Sequence, residues 1–468
     1  MGVTQGRRDE ASSGKGITVS MQSLGEQTVD LLARLVRLGC VNDLTADSGG
    51  EERAADLLEE FFAGLPVSIE RVTPHPGRTT LVVTVEGSAP HGDGTPLTLV
   101  GHTDVVPVDE AKWTRDPFGA QIEDGVMWGR GTVDMLHLTA AMAVVTREVA
   151  RRAQEGNPPA RSLVFVAAAD EEARGGLGVP WIGEHRPDAL PWDAALSEMG
   201  GAHIRGHRGG DSVVVVVGEK GAAQRRLHIR GDAGHGSVPL GRTSAVERLA
   251  QVSAALSAAR WPTATDEVWA GFVRAFEFEE ATETSLINGT YEGDYAEFGD
   301  LAAFAHAVSH VTVAQTVAHS GGPINVMPSH ATLELDIRTL PGVDDDDVDA
   351  AIMAALGDLA EHVTIERLLC EAATASSIDT DLYRAIEAAL TKRYPGARVV
   401  PVLFPGGSDL RVARRLGGIG YGFGAVDSGA SLGHVYSQLH AHDEHIALVD
   451  VRATAEVLHE VVTAYLGA

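Results

Sequence analysis

The chain has 468 residues, which is too long for one ordinary hydrophobic core, so two domains or three are expected. Hydrophobic residues make up 44% of it, as in folded globular proteins. The net charge of −28 disfavours nucleic acid or anionic lipid as a partner, because their phosphates would be repelled.

The sequence shows no sign of secretion or membrane insertion. Only two cysteines occur, Cys40 and Cys370, so no disulfide framework is expected, and both are predicted to be buried. No stretch approaches the roughly 18 apolar residues of a transmembrane helix. The first residues, MGVTQGRRDEASSGKG, lack the apolar segment of a secretory signal. We therefore predict a cytoplasmic protein that does not bind membranes, with residues 1–22 as a loose tail.

The first half of the chain predicts strands that alternate with helices. Apolar residues at helical spacing predict helices over 23–38, 51–65 and 135–152. Short runs rich in β-branched and aliphatic residues predict strands over 81–85, 97–102, 162–169 and 194–198. This alternation predicts an α/β fold, with a mostly parallel sheet and helices on both of its faces.

The pattern changes near residue 218. Longer alternating strands and amphipathic helices are predicted there, over 212–220, 224–231, 243–258, 331–339 and 348–359. Residues 260–310 give no clear prediction. We interpret 218–374 as a smaller α+β domain inserted into the larger one, which comprises 23–217 and 375–468. The helices of the final part are predicted at 379–393, 408–416 and 448–466.

Histidine and acidic residues stand where predicted strands end. His102 and Asp104 follow one strand, the acidic run 170–172 follows another, and Glu198 ends a third. In open α/β sheets, ligands bind beyond the carboxyl ends of the strands, so these side chains are expected to converge. The glycine-rich stretch MWGRGTVDML places Asp134 at the start of a long helix, where a helix N-cap is the alternative interpretation.

Taken singly, these segments also fit ordinary turns and helix ends. Together with the histidines of LHAHDEH near the C-terminus, they supply two histidine and three carboxylate ligands from five segments. Mixed nitrogen and oxygen ligands of this kind suit a pair of zinc ions, with cobalt or manganese as substitutes. Adjacent glutamates can also divide the work, since one can bind metal while the other acts as general base.

Seven stretches resemble a known family, and they occur in that family's order. They are GHTDVVP, GRGTVDM, ADEEARGG, SEMG, GHGSVP, INVMPSHATLELDIR and LHAHDEH. The family is that of the co-catalytic zinc peptidases and deacylases, which includes glutamate carboxypeptidase, aminoacylase, acetylornithine deacetylase and succinyl-diaminopimelate desuccinylase. The resemblance covers nearly the whole chain from about residue 25. It implies a catalytic α/β domain interrupted by a smaller lid domain, which also forms a homodimer.

The resemblance implies two zinc ions per chain and a set of ligands for them. His102 and Glu198 would hold one ion, Glu172 and His440 would hold the other, and Asp134 would bridge both. Asp104 would orient His102, as carboxylates commonly do for histidine ligands. Glu171 would be the general base.

Further residues are implied to bind the substrate. His235 resembles a lid histidine that reaches into the active site of a partner subunit and polarises the scissile carbonyl. Asn325 and Arg338 resemble residues that bind the substrate's carboxylate, a role that suits the planar guanidinium group of arginine. Gly406 and Gly407 resemble a glycine loop that lines the site.

The implied reaction is cleavage of an amide bond in an N-acyl amino acid or a short peptide with a free carboxylate, by attack of a metal-bridging water. This is the carboxypeptidase or deacylase type. Two alternatives stay open, namely an aminopeptidase or dipeptidase on the same scaffold and a catalytically inactive binding relative. The sequence departs from the family after Asp134 and Met135, where Leu136 and His137 replace the usual Lys-Gly. It does not identify the substrate's acyl group or side chain.

Overall fold

The structure is a computed structural model that describes residues 22–89 and 94–467. The predicted tail, residues 1–22, lies outside this part of the chain except for Gln22. Within these described ranges, no helix is long and apolar enough to cross a membrane.

The bounds of the helices and strands follow. The α-helices of the described residues are α1 (Leu24–Leu38), α2 (Glu52–Phe61), α3 (Leu136–Gln154), α4 (Val179–His185), α5 (Ala245–Ala258), α6 (Glu267–Ala275), α7 (Glu280–Ile287), α8 (Ala302–Ser309), α9 (Asp345–Leu356), α10 (Asp381–Arg393), α11 (Leu410–Arg415), α12 (Leu432–Gln438) and α13 (Leu448–Leu466). The strands are β1 (Ser68–His75), β2 (Arg78–Val85), β3 (Leu97–His102), β4 (Gln121–Glu123), β5 (Val126–Trp128), β6 (Leu163–Ala168), β7 (Ala194–Ser197), β8 (Gly200–Arg205), β9 (Asp211–Glu219), β10 (Gly221–Ala222), β11 (Arg225–Arg230), β12 (Gly234–His235), β13 (Thr312–Ser320), β14 (Val326–Met327), β15 (His330–Thr339), β16 (Val363–Arg367), β17 (Thr374–Ala375), β18 (Arg398–Phe404), β19 (Ile419–Gly422) and β20 (His445–Ala447).

A ten-stranded sheet forms the framework of the molecule. Its order is β1-β2-β6-β3-β7-β19-β9-β17, and β18 and β8 also pair with β9. The centre is parallel, since β3 pairs in parallel with β6 and β7, and β19 with β7. The β1–β2 and β8–β9 pairs are antiparallel because short turns connect them. Strand β18 also pairs in parallel with β9, so the predicted parallel sheet is present, with antiparallel strands added to it.

Helices cover both faces of this sheet, as predicted. On one face, α1, α3 and α13 share a core with the sheet, in which Leu32, Met142 and Leu458 of the helices lie with Phe165 of β6. On the other face, α4 and α11 pack against a smaller cluster of sheet valines. A fully buried leucine contributes about 1.5–3 kcal/mol to folding, so these interfaces hold the strand ends firmly in place.

A second, five-stranded antiparallel sheet is formed within residues 221–367. It contains β13, β15, β11, β16 and the short β10. Helices α5 and α9 pack on it through Val252 and Ile352, in a core with Leu227 and Leu333. We retain 218–374 as the proposed bounds of the inserted domain.

The unassigned segment 260–310 is helical. It contains α6, α7 and α8, and α6 packs against β18 of the large sheet. Phe272 lies in the same core as Val400 and Val402. Helix α6 therefore lies against the large sheet, although the proposed bounds group it with the inserted domain.

The two cysteines differ in exposure. Cys40 is buried, as predicted, whereas Cys370 is exposed. The prediction for Cys370 is wrong because this residue lies in the connection between β16 and β17, not on a core-facing strand.

Candidate metal centre

Most of the predicted ligands meet at one edge of the large sheet. His102 ends β3, Glu172 follows β6 and Glu198 follows β7, and these three strands are parallel neighbours. Ligand atoms of His102, Asp134 and Glu172 lie within 4.8 Å of one another. Those of His102, Glu171 and Glu198 also lie within 4.8 Å of one another. The carboxyl ends of the central strands thus bring five predicted residues together.

Asp134 lies between the two histidines of this cluster. Its Oδ1 is 3.2 Å from His102 Nε2, and its Oδ2 is 3.3 Å from His440 Nε2. Burial alone would raise the pKa of Asp134, but its hydrogen bonds to both rings lower that pKa overall. Helix α3 begins after Asp134, with Met135 in the N-cap position, so the alternative of a plain helix cap does not hold. A carboxylate with each oxygen directed at a different histidine suits a bridging ligand.

Glu172 and Glu198 lie on either side of Asp134. Glu172 Oε2 is 3.2 Å from His440 Nε2, and Glu198 Oε2 is 3.8 Å from His102 Nε2. Burial and the nearby Asp134 charge raise the pKa of Glu172 to about 7 and that of Glu198 to about 8. Among the described residues, Glu172 Oε1 and Glu198 Oε2 have no hydrogen-bond donor. Crowded, buried carboxylates of this kind are stabilised by cations, so these residues fit a pair of divalent metal ions.

Asp104 positions the glutamate pair through the backbone. Its carboxylate accepts hydrogen bonds from the backbone N–H groups of Glu171 (3.2 Å) and Glu172 (3.1 Å) and from the Asn42 amide (2.8 Å). His102 Nδ1 instead lies 2.9 Å from the backbone oxygen of Asp104 and 3.7 Å from its carboxylate. The structure therefore places the carbonyl of Asp104, and not its carboxylate, within hydrogen-bond distance of His102 Nδ1.

Glu171 lies beside the ligands at the end of β6. Burial raises the pKa of its carboxyl well above the usual range, and the charge of Glu198 raises it further. In these surroundings the Glu171 carboxylate therefore binds a proton more readily than an exposed glutamate does.

The loop after β6 is held by a buried network that the sequence did not reveal. Asp170 accepts hydrogen bonds from Arg78, from the Asn42 amide at 3.0 Å and from the Leu177 backbone at 2.8 Å. Glu51 accepts from Arg78 at 2.7 Å and from the backbone of Asp170 at 3.1 Å. The network fixes Asp170, whose φ of 64° is unusual for a residue with a side chain. It thereby fixes the start of the segment that carries the two glutamates.

Glu444 performs a similar task for the loop that carries Asp134. This buried carboxylate accepts hydrogen bonds from the backbones of Gly131 (3.0 Å), Val133 (2.7 Å) and Asp134 (3.1 Å). It also accepts one from the Arg130 guanidinium at 2.7 Å. The LHAHDEH motif contains Glu444, but its spacing alone did not indicate which of the motif's polar residues point inward.

A cavity of about 470 Å³ opens over the cluster. Asp134, Glu171, Glu172, Glu198 and His440 contribute to its wall. The predicted residues Arg338, Gly406 and Gly407 line it as well, together with four further cations, Arg174, Lys220, Arg411 and Arg415. We call this space the cationic cavity. Sequence reasoning identified Arg338 but missed the other four basic side chains, which carry no motif of their own.

Lys220 connects the cationic cavity to helix α8. Its ammonium donates hydrogen bonds to the backbone oxygens of Ala307 and His310, both at 2.6 Å, and to the Thr312 hydroxyl at 3.0 Å. Burial and the neighbouring Arg338 charge lower the pKa of Lys220 to about 7. Lys220 thus joins the lining of the cationic cavity to the end of residues 260–310, which the sequence left without a clear prediction.

The glycine loop is anchored from behind. Glu219 accepts hydrogen bonds from the backbone and the hydroxyl of Ser408, both at 2.6 Å, and from Arg414 at 2.7 Å. Gly406 and Gly407 precede this anchor and line the cavity. Glycine suits both positions, because a Cβ would lie 2.7 Å from the Phe404 ring at Gly406 and 2.8 Å from the Arg411 guanidinium at Gly407.

His235 and Asn325 are not brought to the cluster. Both are exposed, and neither lines the cationic cavity. They lie together at the β12–β14 ladder. His235 pairs there with Val326, and the backbone N–H of Gly236 donates a hydrogen bond to the backbone oxygen of Asn325 at 2.8 Å. Within one chain, these two predicted residues therefore form a separate surface.

Comparison with known proteins agrees with this geometry. The sequence model of peptidase family M20/M25/M40 matches residues 98–464. A metallo-carboxypeptidase from Sulfolobus solfataricus has 19% identity and a TM-score of 0.67, with 94% of this chain and 100% of that chain covered. Aminopeptidase PepT from Bacillus cereus has 17% identity and a TM-score of 0.63, with 94% and 98% covered. The YXEP protein of Bacillus subtilis, described as a dinuclear metal binding peptidase, has 13% identity and a TM-score of 0.58, with 95% and 99% covered.

At such identities, the likeness to these structures shows a shared fold. The family match rests on sequence, and it includes the segments that carry His102, Asp134, Glu172, Glu198 and His440. The chain belongs to peptidase family M20/M25/M40.

Proposed function

We propose that this protein cleaves the amide bond of an N-acyl amino acid or a short peptide that carries a free carboxylate. The observation that carries the proposal is the cationic cavity, whose lining combines Arg338 and Arg411 with the acidic cluster. A free carboxylate is attracted to these cations, and a guanidinium group can bind it with two parallel hydrogen bonds. An amide attached to that carboxylate would then reach the cluster.

The proposed metal ligands are those that the resemblance implied. His102 and Glu198 would hold one ion, Glu172 and His440 the other, and Asp134 both. Zinc is the expected metal, with cobalt or manganese as substitutes. When bound, the ions would lower the pKa of a water molecule and polarise the amide carbonyl.

Glu171 is the proposed general base. It would take a proton from the attacking water and pass it to the departing amine. Its position beside His102 and Glu198 supports this role, because the proton need travel only a short distance. Arg338 would hold the substrate's carboxylate, and the backbone at Gly406 and Gly407 would border the bound substrate.

We further propose a homodimer in which the inserted domain of each copy serves the site of the other. The exposure of His235 and Asn325, away from their own cationic cavity, supports this arrangement. Among the described residues, strand β13 pairs only with β15 and leaves an exposed edge. His235 would donate a hydrogen bond to the carbonyl oxygen as negative charge develops there.

A substrate screen tests the proposal. N-acyl amino acids, dipeptides and their C-terminal amides would be offered to the protein loaded with zinc or cobalt. We expect hydrolysis of substrates with a free carboxylate and loss of hydrolysis when that carboxylate is amidated. A requirement for a free α-amine with no requirement for the carboxylate would favour the aminopeptidase alternative. A cytoplasmic location and the absence of nucleic-acid and membrane partners stay predictions.

A further inference from the structure

A second cavity, of about 270 Å³, adjoins the cluster at Glu198. It is enclosed by the beginning of α3, the segment after β19, helix α12 and strand β20. Apolar side chains form much of its wall, among them Val126, Val133, Leu138, Met199, Phe423 and Val435. We call this space the apolar cavity.

The apolar cavity and the cationic cavity meet at the metal centre. Glu198 and Met199 line both of them. The two cavities therefore adjoin at Glu198, so a reacting carbonyl placed at Glu198 has the cationic cavity on one side and the apolar cavity on the other.

The two cavities differ in charge. Five basic residues line the cationic cavity, whereas none of the described residues lining the apolar cavity is a lysine or arginine. The acids of the apolar cavity are Glu198 and Asp450. Asp450 already accepts hydrogen bonds from the backbone of Ser428 at 2.6 Å and from its hydroxyl at 2.7 Å. An anionic group is therefore favoured in the cationic cavity, and an uncharged group in the apolar cavity.

His137 contributes an uncharged ring to the apolar cavity. This half-buried residue lies where the sequence departs from the glycine usual in the family. Burial lowers the pKa of its imidazole to about 4, so the ring is neutral near pH 7. Its Nδ1 is buried and has no hydrogen-bond partner among the described residues. The ring therefore bounds the cavity without adding a charge.

We propose that the apolar cavity is the subsite for the acyl side of the scissile amide and takes an uncharged, apolar acyl group or side chain. This rests on the proposed function, in which the free carboxylate belongs to the amine side of the bond and occupies the cationic cavity. With the carbonyl at the cluster, the acyl group faces the apolar cavity. An acetyl group would leave most of the 270 Å³ unfilled and would forfeit the contacts of the wall, so a longer acyl chain is preferred.

The test compares N-acetyl, N-hexanoyl and N-succinyl derivatives of one amino acid, using the zinc-loaded protein. We expect kcat/KM for the hexanoyl substrate to exceed that for the acetyl substrate by at least about tenfold. The succinyl substrate should be poorer than the hexanoyl substrate, because none of the described residues lining the apolar cavity is a lysine or arginine that could receive its second carboxylate.

Two variants change the size of the apolar cavity in opposite directions. Ala447 lines the apolar cavity but not the cationic cavity. Ala447→Phe therefore narrows the apolar cavity, and it should lower the ratio of kcat/KM for the hexanoyl substrate to kcat/KM for the acetyl substrate about tenfold. His137→Ala enlarges it and should shift the preference toward an octanoyl substrate. Ala354→Phe, on the exposed face of α9, is the matched control and should keep the wild-type ratio.

Failure of the subsite and failure of the proposed function give different results. If the acetyl substrate is hydrolysed but neither cavity variant changes the acyl-chain preference, the subsite is overturned. The proposed function would still stand. A preference for the succinyl substrate would also overturn the subsite. Hydrolysis of none of the N-acyl amino acids by the zinc-loaded wild type would overturn the proposed function and the subsite with it.

Discussion

At the scale of single residues, the two glutamates after β6 occupy different surroundings. Glu172 Oε2 lies 3.2 Å from His440 Nε2, as a second ligand to a shared ion would. Glu171 instead lies with His102 and Glu198 and faces the cationic cavity. Although they are adjacent in sequence, these surroundings support different proposed roles, metal binding for Glu172 and proton transfer for Glu171.

The general base gives the first prediction. Glu171→Gln removes the proton acceptor but keeps the size of the side chain, so kcat should fall by about 10²- to 10⁴-fold. Metal content, measured by elemental analysis, should stay at the wild-type level because Glu171 is not a proposed ligand. Glu184→Gln, an exposed carboxylate on α4, is the control and should leave kcat unchanged. A near-normal kcat in Glu171→Gln would remove this residue from the mechanism.

Glu444 gives a prediction about positioning. Glu444→Gln weakens the hydrogen bonds that hold the backbone of Gly131, Val133 and Asp134. The metal Kd, measured by competition with a chelator, should rise about 10- to 100-fold, as for other groups that orient metal ligands. Saturating metal should restore much of the turnover. Glu456→Gln, a surface position, is the control. Unchanged metal affinity in Glu444→Gln would contradict the role of this residue.

The residues that the sequence revealed are those that lie in short local motifs. Taken alone, Asp134 was weak evidence for a metal ligand. The motif around it nevertheless indicated its position beside His102, and the two side chains lie 3.2 Å apart. Arg78 and Asp170 form an ion pair across 92 positions of sequence, so no local pattern could indicate it. Lys220 depends in the same way on acceptors about 90 positions away. Such partners become neighbours only when the sheet forms.

At the scale of helices and strands, prediction succeeded where one face of an element is apolar. The predicted helix at 448–466 matches α13, and the predicted strand at 97–102 matches β3. The helices between residues 260 and 310 were missed because they are short, with nine residues in α6 and eight each in α7 and α8. So few residues give only about two turns of helical periodicity.

The end of α8 supports a prediction about pH. Burial and the stacked His306 ring lower the pKa of His310 from 6.5 to about 4, and the Lys220 charge adds to this effect. The unfolded chain therefore binds this proton more readily than the folded chain between pH 6.5 and 4. The stability that His310 contributes is present above pH 6.5 and is lost as the pH falls toward 4.

A substitution isolates this effect. The melting temperature of His310→Gln should fall less between pH 6.5 and pH 4 than that of the wild type, because the titrating group is gone. His319→Gln, at an exposed position of β13, should follow the wild-type curve. Parallel curves for His310→Gln and the wild type would exclude His310 as a source of acid sensitivity.

At the scale of the whole molecule, the large sheet gathers the cluster, whereas the separate β12–β14 ladder carries His235 and Asn325. The sequence motifs of His102, Glu172 and Glu198 end strands that are neighbours in the sheet, so their proximity could be expected from the sequence. The apolar cavity could not be predicted, since its wall combines residues from 126 to 454. Spaces of this kind depend on packing between distant segments, which motifs do not describe.

The proposed dimer predicts complementation between two inactive variants. His235→Ala and Glu171→Gln should each lose turnover and keep their metal. After the two are mixed and reassembled, one site in each mixed dimer would combine Glu171 of one copy with His235 of the other. Random reassembly should thus restore about a quarter of the wild-type activity. No recovery, or an active protein that sedimentation shows to be monomeric, would contradict the action of His235 across the interface.

Metal titration of the hydrolysis tests the central claim most directly. The chelated protein would receive increasing zinc or cobalt while hydrolysis of an N-acyl amino acid and bound metal are both measured. The account predicts no activity without metal and full activity at about two bound ions per chain. The variant Asp134→Asn should bind only one of these two ions. Full activity in the metal-free protein, or saturation of an active protein below one ion per chain, would contradict it.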